Sequence, residues 1–244
     1  MVRKFLLFFI LLAIFSQCND SEVEELDPNT FAEIEENYGI HVMYEYSERF
    51  FPYDWLQPPI SAYGHQIDYF EVGRMEPIIN DFLEQYSYAF LQVNLHKIHL
   101  LKRLYFYDRE NHGGGYSKTD IYLIVHAQDY DYLLGKLHHL FSRMLYRNYG
   151  PNFFPTKEWS AINDSEFKYG ATEAIDLSTE ERRTKGLLEQ ASVYSIESDF
   201  NVFVNWIFTK PEKLQEICEK YDKIREKYNL VIQFYDQMNS GVEF

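Results

Sequence analysis

The stretch Ile121–Tyr149, IYLIVHAQDYDYLLGKLHHLFSRMLYRNY, decides the fold of this 244-residue chain. Its first five residues, Ile121 to Val125, form an apolar run that predicts a buried strand. After a short polar connection, apolar residues recur at helical spacing and predict a helix with one buried face. The residues of that face are Leu133, Leu134, Leu137, Phe141, Met144 and Leu145. The sequence therefore predicts a strand that leads directly into a central helix.

The elements before the central helix are predicted from shorter patterns. A helix is expected within residues 28–40, with Asp27 or Asn29 as its N-terminal cap. The Pro-rich residues 49–64 are expected to form a wrapping loop, and the three glycines at 113–115 a turn. Periodicity predicts three further elements: a strand at His41–Tyr46, a helix at Glu71–Tyr88 and a strand at Leu95–Tyr107.

The segment after the central helix is predicted to be mainly helical. Gly150 and Pro151 are expected to end the central helix, and residues 158–162 are expected to be loop-like. The later elements are a helix at Ser178–Gln190, a helix at Phe200–Phe208 capped by Ser198 and Asp199, a helix at Pro211–Tyr228 and a terminal segment at Val231–Tyr235. Because no internal repeat or second domain is indicated, residues 28–244 are predicted to form one domain.

The N-terminus has the pattern of a secretion signal. Arg3 and Lys4 precede the apolar run Phe5–Phe15, which is too short to cross a bilayer stably. Ser16-Gln17-Cys18 follows and resembles the end of a bacterial lipoprotein signal. Residues 1–17 are therefore predicted to be a signal peptide, with Cys18 lipidated, and residues 18–27 an acidic tether. Gln17 is larger than the residue usual at its position, which leaves cleavage by an ordinary signal peptidase open.

Net charge and cysteine content limit the partners and the disulfide bonds that are expected of the chain. The formal net charge of −15 at pH 7 repels nucleic acid and anionic lipid headgroups, so neither is an expected partner. The chain has two cysteines. With Cys18 lipidated, Cys218 has no partner and is predicted to be an inert, partly buried helix residue. A disulfide between the two is the alternative.

His138 and His139 lie on the central helix, where zinc hydrolases carry the motif H-E-x-x-H. That motif needs imidazoles at i and i+4 to hold one ion, and a carboxylate at i+1 to take a proton from the zinc-bound water. With His139 as the first position, Leu140 replaces the base and Arg143 replaces the second ligand. With His138 as the first position, His139 and Ser142 occupy those places. The motif is therefore broken in both registers.

The segment Leu137–Pro155, LHHLFSRMLYRNYGPNFFP, resembles the active helix and exit loop of the substrate-import-associated zinc metallohydrolase lipoproteins of Bacteroidetes. Members of that family are described as zinc-binding metallopeptidases with a zincin fold, and their helix reads like H-E-F-G-H-I-L-H-Q. Phe141 matches the phenylalanine of that motif, which makes His139 the first ligand position. Downstream, Ala191–Ser195 (ASVYS) followed by Ser198–Phe200 (SDF) resembles the family's segment ending E-D-F-A-E.

The resemblance implies an α+β, zincin-like single domain, with a small mixed sheet packed on the central helix and a helical C-terminal part. It also implies a degenerate metal site in which His139 and Asp199 are kept. Leu140 stands where the base is expected, Arg143 where a ligand is expected, and Ser198 and Val202 where acids are expected. An always-charged guanidinium repels a cation and cannot be a ligand. Zinc, the cofactor of intact family members, is therefore not expected here, and no catalytic residue is predicted.

Arg143 is expected to stand in for the missing ion. It is predicted to pair with Asp199 or with another acid on the later helix, which would keep the two helices packed while the chemistry is lost. The alternative is that Arg143 is an ordinary exposed cation.

By the same resemblance, the chain is expected to be an outer-membrane lipoprotein, exposed at the cell surface as a non-catalytic accessory of a TonB-dependent nutrient import complex. Its partners would be the transporter and its substrate-binding lipoprotein, its ligand a glycan or a peptide, and its membrane contact the N-terminal lipid. Two alternatives are kept. One is a zinc-dependent peptidase or hydrolase with displaced ligands, for example His138 and His139 with His126 or an acid. The other is a structural lipoprotein unrelated to import.

Overall fold

The structure is a computed structural model, and it describes residue 27 and residues 29–171 and 177–242. The predicted signal peptide at residues 1–17, the lipidation site Cys18 and the tether up to residue 26 lie outside the described residues. Within the described part of the chain, no helix is both long enough and apolar enough to cross a membrane. The described residues cover most of the segment that is predicted to form the domain at 28–244.

A mixed sheet of six short strands forms one layer of the described fold. The ten-residue strand β3 lies at its centre: β1 and β6 pair with it in parallel, and β2 and β4 pair with it antiparallel. β5 pairs antiparallel with β6. The strands are β1 (His41–Met43), β2 (Tyr63–Gln66), β3 (Lys97–Phe106), β4 (Arg109–Glu110), β5 (Gly115–Tyr116) and β6 (Asp120–Ile124). The strands predicted at Leu95–Tyr107 and from Ile121 are confirmed, and the strand predicted at His41–Tyr46 is shorter than expected.

Short helices precede the central helix: α1 (Ala32–Tyr38), α2 (Tyr53–Leu56), α3 (Tyr69–Gly73), α4 (Met75–Leu83) and α5 (Tyr88–Asn94). The predicted caps of α1 are wrong, because the helix begins after Phe31 and the Asp27 side chain accepts the N–H of Asn29 instead. The single helix predicted over 71–88 is also wrong. Pro77 has no N–H to donate to the carbonyl of Gly73, so the helix breaks between α3 and α4.

The central helix α6 runs from Tyr130 to Phe153, and the Asp129 side chain caps it by accepting the N–H of Tyr132 at 2.8 Å. The predicted helix face is confirmed, with most of its residues fully buried against the sheet and α4. Gly150 and Pro151 do not end α6, contrary to the prediction. A proline keeps helical φ and removes only one hydrogen bond there. The helix therefore continues to Phe153, and the N–H of Phe154 bonds to the carbonyl of Gly150.

The C-terminal part is helical and packs on α6. Its helices are α7 (Thr156–Ile162), α8 (Thr179–Thr184), α9 (Ile196–Thr209), α10 (Pro211–Lys220) and α11 (Asp222–Gln237). α9 lies along α6, and α11 packs against α7, α8, α9 and α10. The predicted α+β architecture, with a small mixed sheet and a helical C-terminal part, is confirmed.

Four predicted boundaries in this part are wrong. Residues 158–162 belong to α7, because Trp159 is fully buried and draws this segment onto the core. Ser198 and Asp199 do not cap α9: Ser195 does, three residues earlier, by accepting the N–H of Ser198 at 3.0 Å. The helix predicted from Ser178 has its expected cap but ends at Thr184.

The fourth boundary is the long helix predicted from Pro211, which is two helices. Tyr221 has extended backbone between α10 and α11, and its hydroxyl donates to Glu180 of α8 at 2.6 Å. A tertiary hydrogen bond therefore holds the residue at which the helix breaks. The terminal segment Val231–Tyr235 is part of α11.

Cys218, a free cysteine, lies on helix α10 as predicted, and it is buried rather than partly buried. Burial raises the pKa of its thiol to about 11, from a usual value of 9.0. Because only the thiolate is nucleophilic, we expect a disulfide reagent at pH 7.5 to modify Cys218 roughly 100-fold more slowly in the folded protein than in denaturant. The measurement is a thiol titration of the Cys18→Ser variant, which has a single thiol. Equal rates in both conditions would contradict this expectation.

Candidate functional site

The broken zinc motif lies on α6, and the later acidic segment lies on α9. Two buried residues join these helices: the Ser142 hydroxyl donates to the side-chain oxygen of Asn201, and the Asn201 amide donates to the carbonyl of Glu197 at 2.7 Å. Neither side chain leaves a buried polar atom without a hydrogen bond, which would be costly. The seam between the two helices is therefore fixed by polar contacts as well as by apolar packing.

A cleft lies along the outer side of this seam, and we name it the α6/α9 cleft. It has two adjoining parts, of about 460 Å³ and 230 Å³, and His139 lines both. The cleft residues on which its chemistry depends are Lys136, His139 and Arg143 from α6, with Ser195, Ser198 and Asn205 from the α9 side. On α6 these residues follow i, i+3 and i+7 spacing, so they share one helix face.

Arg143 is held by two contacts in the cleft. Its Nε donates to Oε1 of Glu197 at 3.0 Å, and its guanidinium lies over the ring of Tyr116 at 5.3 Å. The prediction that Arg143 pairs with an acid on the later helix is confirmed, with Glu197 as that acid. Asp199 as its partner is wrong, and Arg143 is not simply an ordinary exposed cation, since it is paired although 39% of its side chain is exposed. Because Glu197 precedes Asp199 by two positions on a helix, the two carboxylates leave α9 in different directions.

Asp199 is fully buried on the other side of α9, away from the cleft. Its Oδ2 accepts from the Lys227 ammonium at 2.6 Å, from the Tyr169 hydroxyl at 2.8 Å and from the Trp159 ring N–H at 3.1 Å. Lys227 is also fully buried, and its ammonium lies 5.1 Å from the centre of the Trp159 ring. Asp199 is therefore an acid of the core, held by a buried lysine, and not part of a metal site.

Burial dominates the electrostatics of this buried pair. Burial raises the pKa of the Asp199 carboxyl above its usual value, and the lysine opposes that rise. Burial likewise lowers the pKa of the Lys227 ammonium, and Asp199 opposes that fall. Each group thus depends on the other to keep its charge, since an isolated charge in the interior is costly.

His138 points into the core rather than into the cleft. It is buried, its Nδ1 lies 3.0 Å from the Tyr86 hydroxyl, and its ring stacks on Phe208 with a centroid distance of 4.0 Å. His139 faces the cleft instead, and His126 is exposed in the turn after β6. The three histidines of the displaced-ligand alternative are therefore not brought together. Among the described residues, no group of three or more His, Cys, Asp or Glu side chains could hold a metal ion.

The donor set at the degenerate positions does not fit zinc. His139 offers one imidazole, and one turn later Arg143 presents a guanidinium that is already paired with Glu197. Leu140 is fully buried against the β5–β6 region, where a side-chain carbon at Gly114 would come within 2.9 Å of its methyl group. Val202 is buried and apolar. One imidazole and one engaged carboxylate supply fewer than the three protein ligands that a catalytic zinc site uses.

Both histidines have a strongly lowered pKa. Burial lowers the pKa of His138 to about 3. Burial, and after it the charges of Lys136 and Arg143, lowers the pKa of His139 to about 4. Both imidazoles are therefore neutral in the folded protein at pH values where they would be charged in the unfolded chain.

This difference makes stability sensitive to acid. A histidine whose folded pKa is lowered contributes stability above its unfolded pKa of about 6.5, and that contribution is lost as the pH falls towards the folded value. We expect the free energy of unfolding to decline between pH 6.5 and 4.5. In the His138→Gln variant, the slope of the free energy of unfolding against pH should decrease by about the contribution of one proton. His112→Gln, at an exposed position, should leave that slope unchanged. Urea denaturation across this pH range is the measurement, and identical slopes for all three proteins would contradict the assignment.

The elements described so far define an α+β fold with a cleft between its central helix and one helix of its C-terminal part. No protein-family model matches the sequence, and no curated protein matches it. Among solved structures, the crystal structure of a "putative zinc-binding metallo-peptidase" from Bacteroides caccae is similar, with a TM-score of 0.57 and 14% sequence identity. The similarity covers 87% of this chain and 85% of that chain. At this identity the likeness shows the fold alone, which is metallopeptidase-like.

Two lysines of this region were not singled out by sequence reasoning. Lys227 lies three residues after Ile224 and four before Val231, on the apolar stripe of α11. A lysine in such a stripe indicates a buried charge that has a partner. Lys136 lies one turn before His139, and nothing in the sequence distinguishes it from an ordinary surface lysine.

Proposed function

We propose that this chain is a lipid-anchored surface protein with a metallopeptidase-like fold, without zinc chemistry, that acts as a non-catalytic accessory of a TonB-dependent nutrient import complex. The observation that carries the non-catalytic part is the Arg143–Glu197 pair. It occupies the position on α6 where a zinc site needs its second imidazole. Guanidinium and carboxylate neutralise each other there, so the helix packing keeps a charged pair in the place of an ion.

The loss of a base supports the same proposal. The residue after His139 is Leu140, which is buried and cannot accept a proton. A hydrolase of this kind needs a carboxylate at that position to activate its water. Ligand and base are thus both replaced by residues that serve packing. The retained fold offers a cleft in which a ligand can be bound without being cleaved.

The import role rests on the sequence. The apolar run before Cys18 and the acidic residues after it match a lipoprotein that is exported to the cell surface, and the α6 segment resembles a family that works beside TonB-dependent transporters. A surface lipoprotein with a ligand cleft fits a role in delivering solute to such a transporter. Its acidic charge would keep the tethered domain away from anionic headgroups.

Metal content and peptidase activity test the non-catalytic part. The chain is purified from membranes without chelator, and zinc is quantified per chain beside an assay with a mixture of quenched fluorescent peptides. We expect zinc well below one per chain and no cleavage above the level of a blank preparation. Stoichiometric zinc together with cleavage that a chelator abolishes would instead assign the chain to the zinc-dependent hydrolases with displaced ligands.

Co-purification tests the import part. The full chain with a C-terminal tag is isolated from detergent-solubilised outer membranes, and the Cys18→Ser variant serves as the control without a lipid anchor. We expect a TonB-dependent transporter and its substrate-binding lipoprotein to co-purify with the lipidated chain, and labelled fatty acid to be incorporated only when Cys18 is present. A lipidated chain that reaches the outer membrane and brings down neither partner would favour a structural lipoprotein unrelated to import.

A further inference from the structure

Lys136 in the α6/α9 cleft lacks an acidic partner among the described residues. Lys136 is only partly exposed, and its ammonium lies 5.6 Å from the centre of the Tyr132 ring. Burial lowers the pKa of Lys136, and the nearby Arg143 lowers it further. In a chain with a net charge of −15, a partly buried lysine that has no ion-pair partner among the described residues marks a place where a negative charge would be stabilised.

Arg143 presents its free end to the same cleft. Glu197 is bonded to Nε and Tyr116 covers the face of the guanidinium, so the side chain is fixed in position. Its two terminal nitrogens make no hydrogen bond within the described residues. A guanidinium held through Nε keeps the paired N–H groups that bind the two oxygens of a carboxylate.

The rest of the cleft lining contains two charged residues, Asp131 and Lys210, and neutral hydrogen-bonding groups, of which Ser198 and Asn205 matter here. Ser195 caps α9 and donates to the Ser198 hydroxyl at 3.1 Å, which leaves the Ser198 proton free to donate. The Asn205 side chain lies opposite Gly135, where any side-chain carbon would come within 2.8 Å of its amide oxygen. Gly135 therefore keeps the Asn205 amide open to the cleft, where it can both donate and accept.

We propose that the α6/α9 cleft binds a short peptide, with the terminal carboxylate of the peptide held between Lys136 and Arg143 and its backbone bonded to Ser198 and Asn205. This inference deepens the proposed function and rests on its non-catalytic part, because it assigns to the cleft a ligand that is bound and not cleaved. The free amide and hydroxyl match the alternating donors and acceptors of a peptide backbone.

A carboxylate carried by an acidic oligosaccharide is less well matched by this cleft. Sugar rings are bound by stacking on open aromatic faces, and Tyr132 is the aromatic residue of the cleft within the described part of the chain. The Lys136 ammonium lies 5.6 Å from the centre of its ring. Although Tyr132 is 47% exposed, a sugar would have only this one tyrosine, shared with a cation, to stack on in the described lining of the cleft.

The test compares two probes that differ only in the carboxylate. Isothermal titration of the full chain with N-acetyl-tri-alanine is expected to show binding, and N-acetyl-tri-alanine amide is expected to bind at least about ten-fold more weakly, because charge-assisted hydrogen bonds are lost. Lys136→Gln should weaken binding of the peptide acid by a similar factor and leave binding of the peptide amide unchanged. Lys136→Arg should restore the affinity for the acid. Lys157→Gln, which removes an exposed lysine from α7, is the matched control and should have no effect.

Three results would overturn the ligand assignment: equal affinity for acid and amide, no effect of Lys136→Gln, or binding of trigalacturonate in place of the tripeptide acid. The titrations are made on protein shown to be free of zinc, which separates the two proposals. Failure of peptide binding would remove the assigned ligand and leave the non-catalytic role standing. Stoichiometric zinc with peptide cleavage would remove the non-catalytic role, whatever the titrations show.

Discussion

The Arg143→His variant is expected to bind one zinc ion per chain, whereas the natural sequence is expected to bind none. An imidazole at position 143 lies one helical turn from His139, the i, i+4 spacing that directs two side chains at one ion. Removing the guanidinium also releases Glu197, which is within 3.0 Å of Arg143 and on the facing helix. Two imidazoles and a carboxylate make the three-ligand set of a zinc site with one open position.

Isothermal titration with zinc and metal analysis after dialysis are the measurements. At free zinc of about 100 times the dissociation constant, binding should raise the free energy of unfolding by about 2.7 kcal/mol. Arg147→His is the matched control, because it adds the same imidazole to α6 two turns from His139 and should not gain zinc. Adding Glu197→Gln to the first variant should weaken binding. No peptide cleavage is expected from any of them, because Leu140 still occupies the position of the base.

Failure of Arg143→His to bind zinc more tightly than Arg147→His would contradict the idea that the cleft is a former metal site. In that case α6 and α9 would share the fold of a metallopeptidase without sharing the geometry of its centre. The variant therefore tests the ancestry of the site independently of whether the natural chain is an enzyme.

Lys227→Met is expected to lower the free energy of unfolding by about 3–5 kcal/mol, because it leaves the Asp199 carboxylate buried without its cation. Methionine fills a similar volume, so packing changes little and the loss is mainly electrostatic. Urea denaturation at pH 7 measures it. Lys223→Met is the matched control on the same helix: its partner Asp164 is partly exposed, so this loss should stay below about 1 kcal/mol.

Two further results identify the cause of that loss. Adding Asp199→Asn to Lys227→Met should recover part of the stability, because the uncompensated charge is gone. Lys227→Met alone should also become less stable as the pH rises above about 3.8, the usual pKa of an aspartate. Without its lysine the folded carboxyl keeps its proton to higher pH than the unfolded chain does, so the folded state loses stability as the pH rises. A loss no larger than that of Lys223→Met would show that the buried pair contributes little.

The central part of the fold could be predicted because its signals are local. The apolar run from Ile121 and the i, i+3, i+4 stripe of α6 repeat over enough residues to identify a buried strand and a helix face. The boundaries that failed depend on contacts between distant segments. The helix predicted from Pro211 breaks at Tyr221 because the Tyr221 hydroxyl bonds to Glu180 of another helix. Residues 158–162 are helical because Trp159 packs into the core. Neither boundary follows from local sequence preference.

The predictions for the candidate site also divide into those that local sequence could give and those that it could not. The replacement of the second ligand by Arg143 could be predicted from motif spacing, and so could its pairing with an acid on the later helix. Which acid it meets could not, because Glu197 and Asp199 differ by two positions and the choice depends on how α9 is rotated against α6. That rotation is fixed by the Ser142–Asn201 contact, which joins residues 59 positions apart in the chain.

By itself, the sequence determined that a strand leads into a long amphipathic helix and that this helix has no intact zinc motif. Such properties are written in composition and in spacing along one segment. Tertiary structure alone decided that Arg143 meets Glu197, that Asp199 is buried with Lys227, and that Lys136 lies in the cleft with no ion-pair partner among the residues that the structure describes. The reason is physical: the partner of a charge depends on burial and helix rotation, and both are set by the packing of the whole chain.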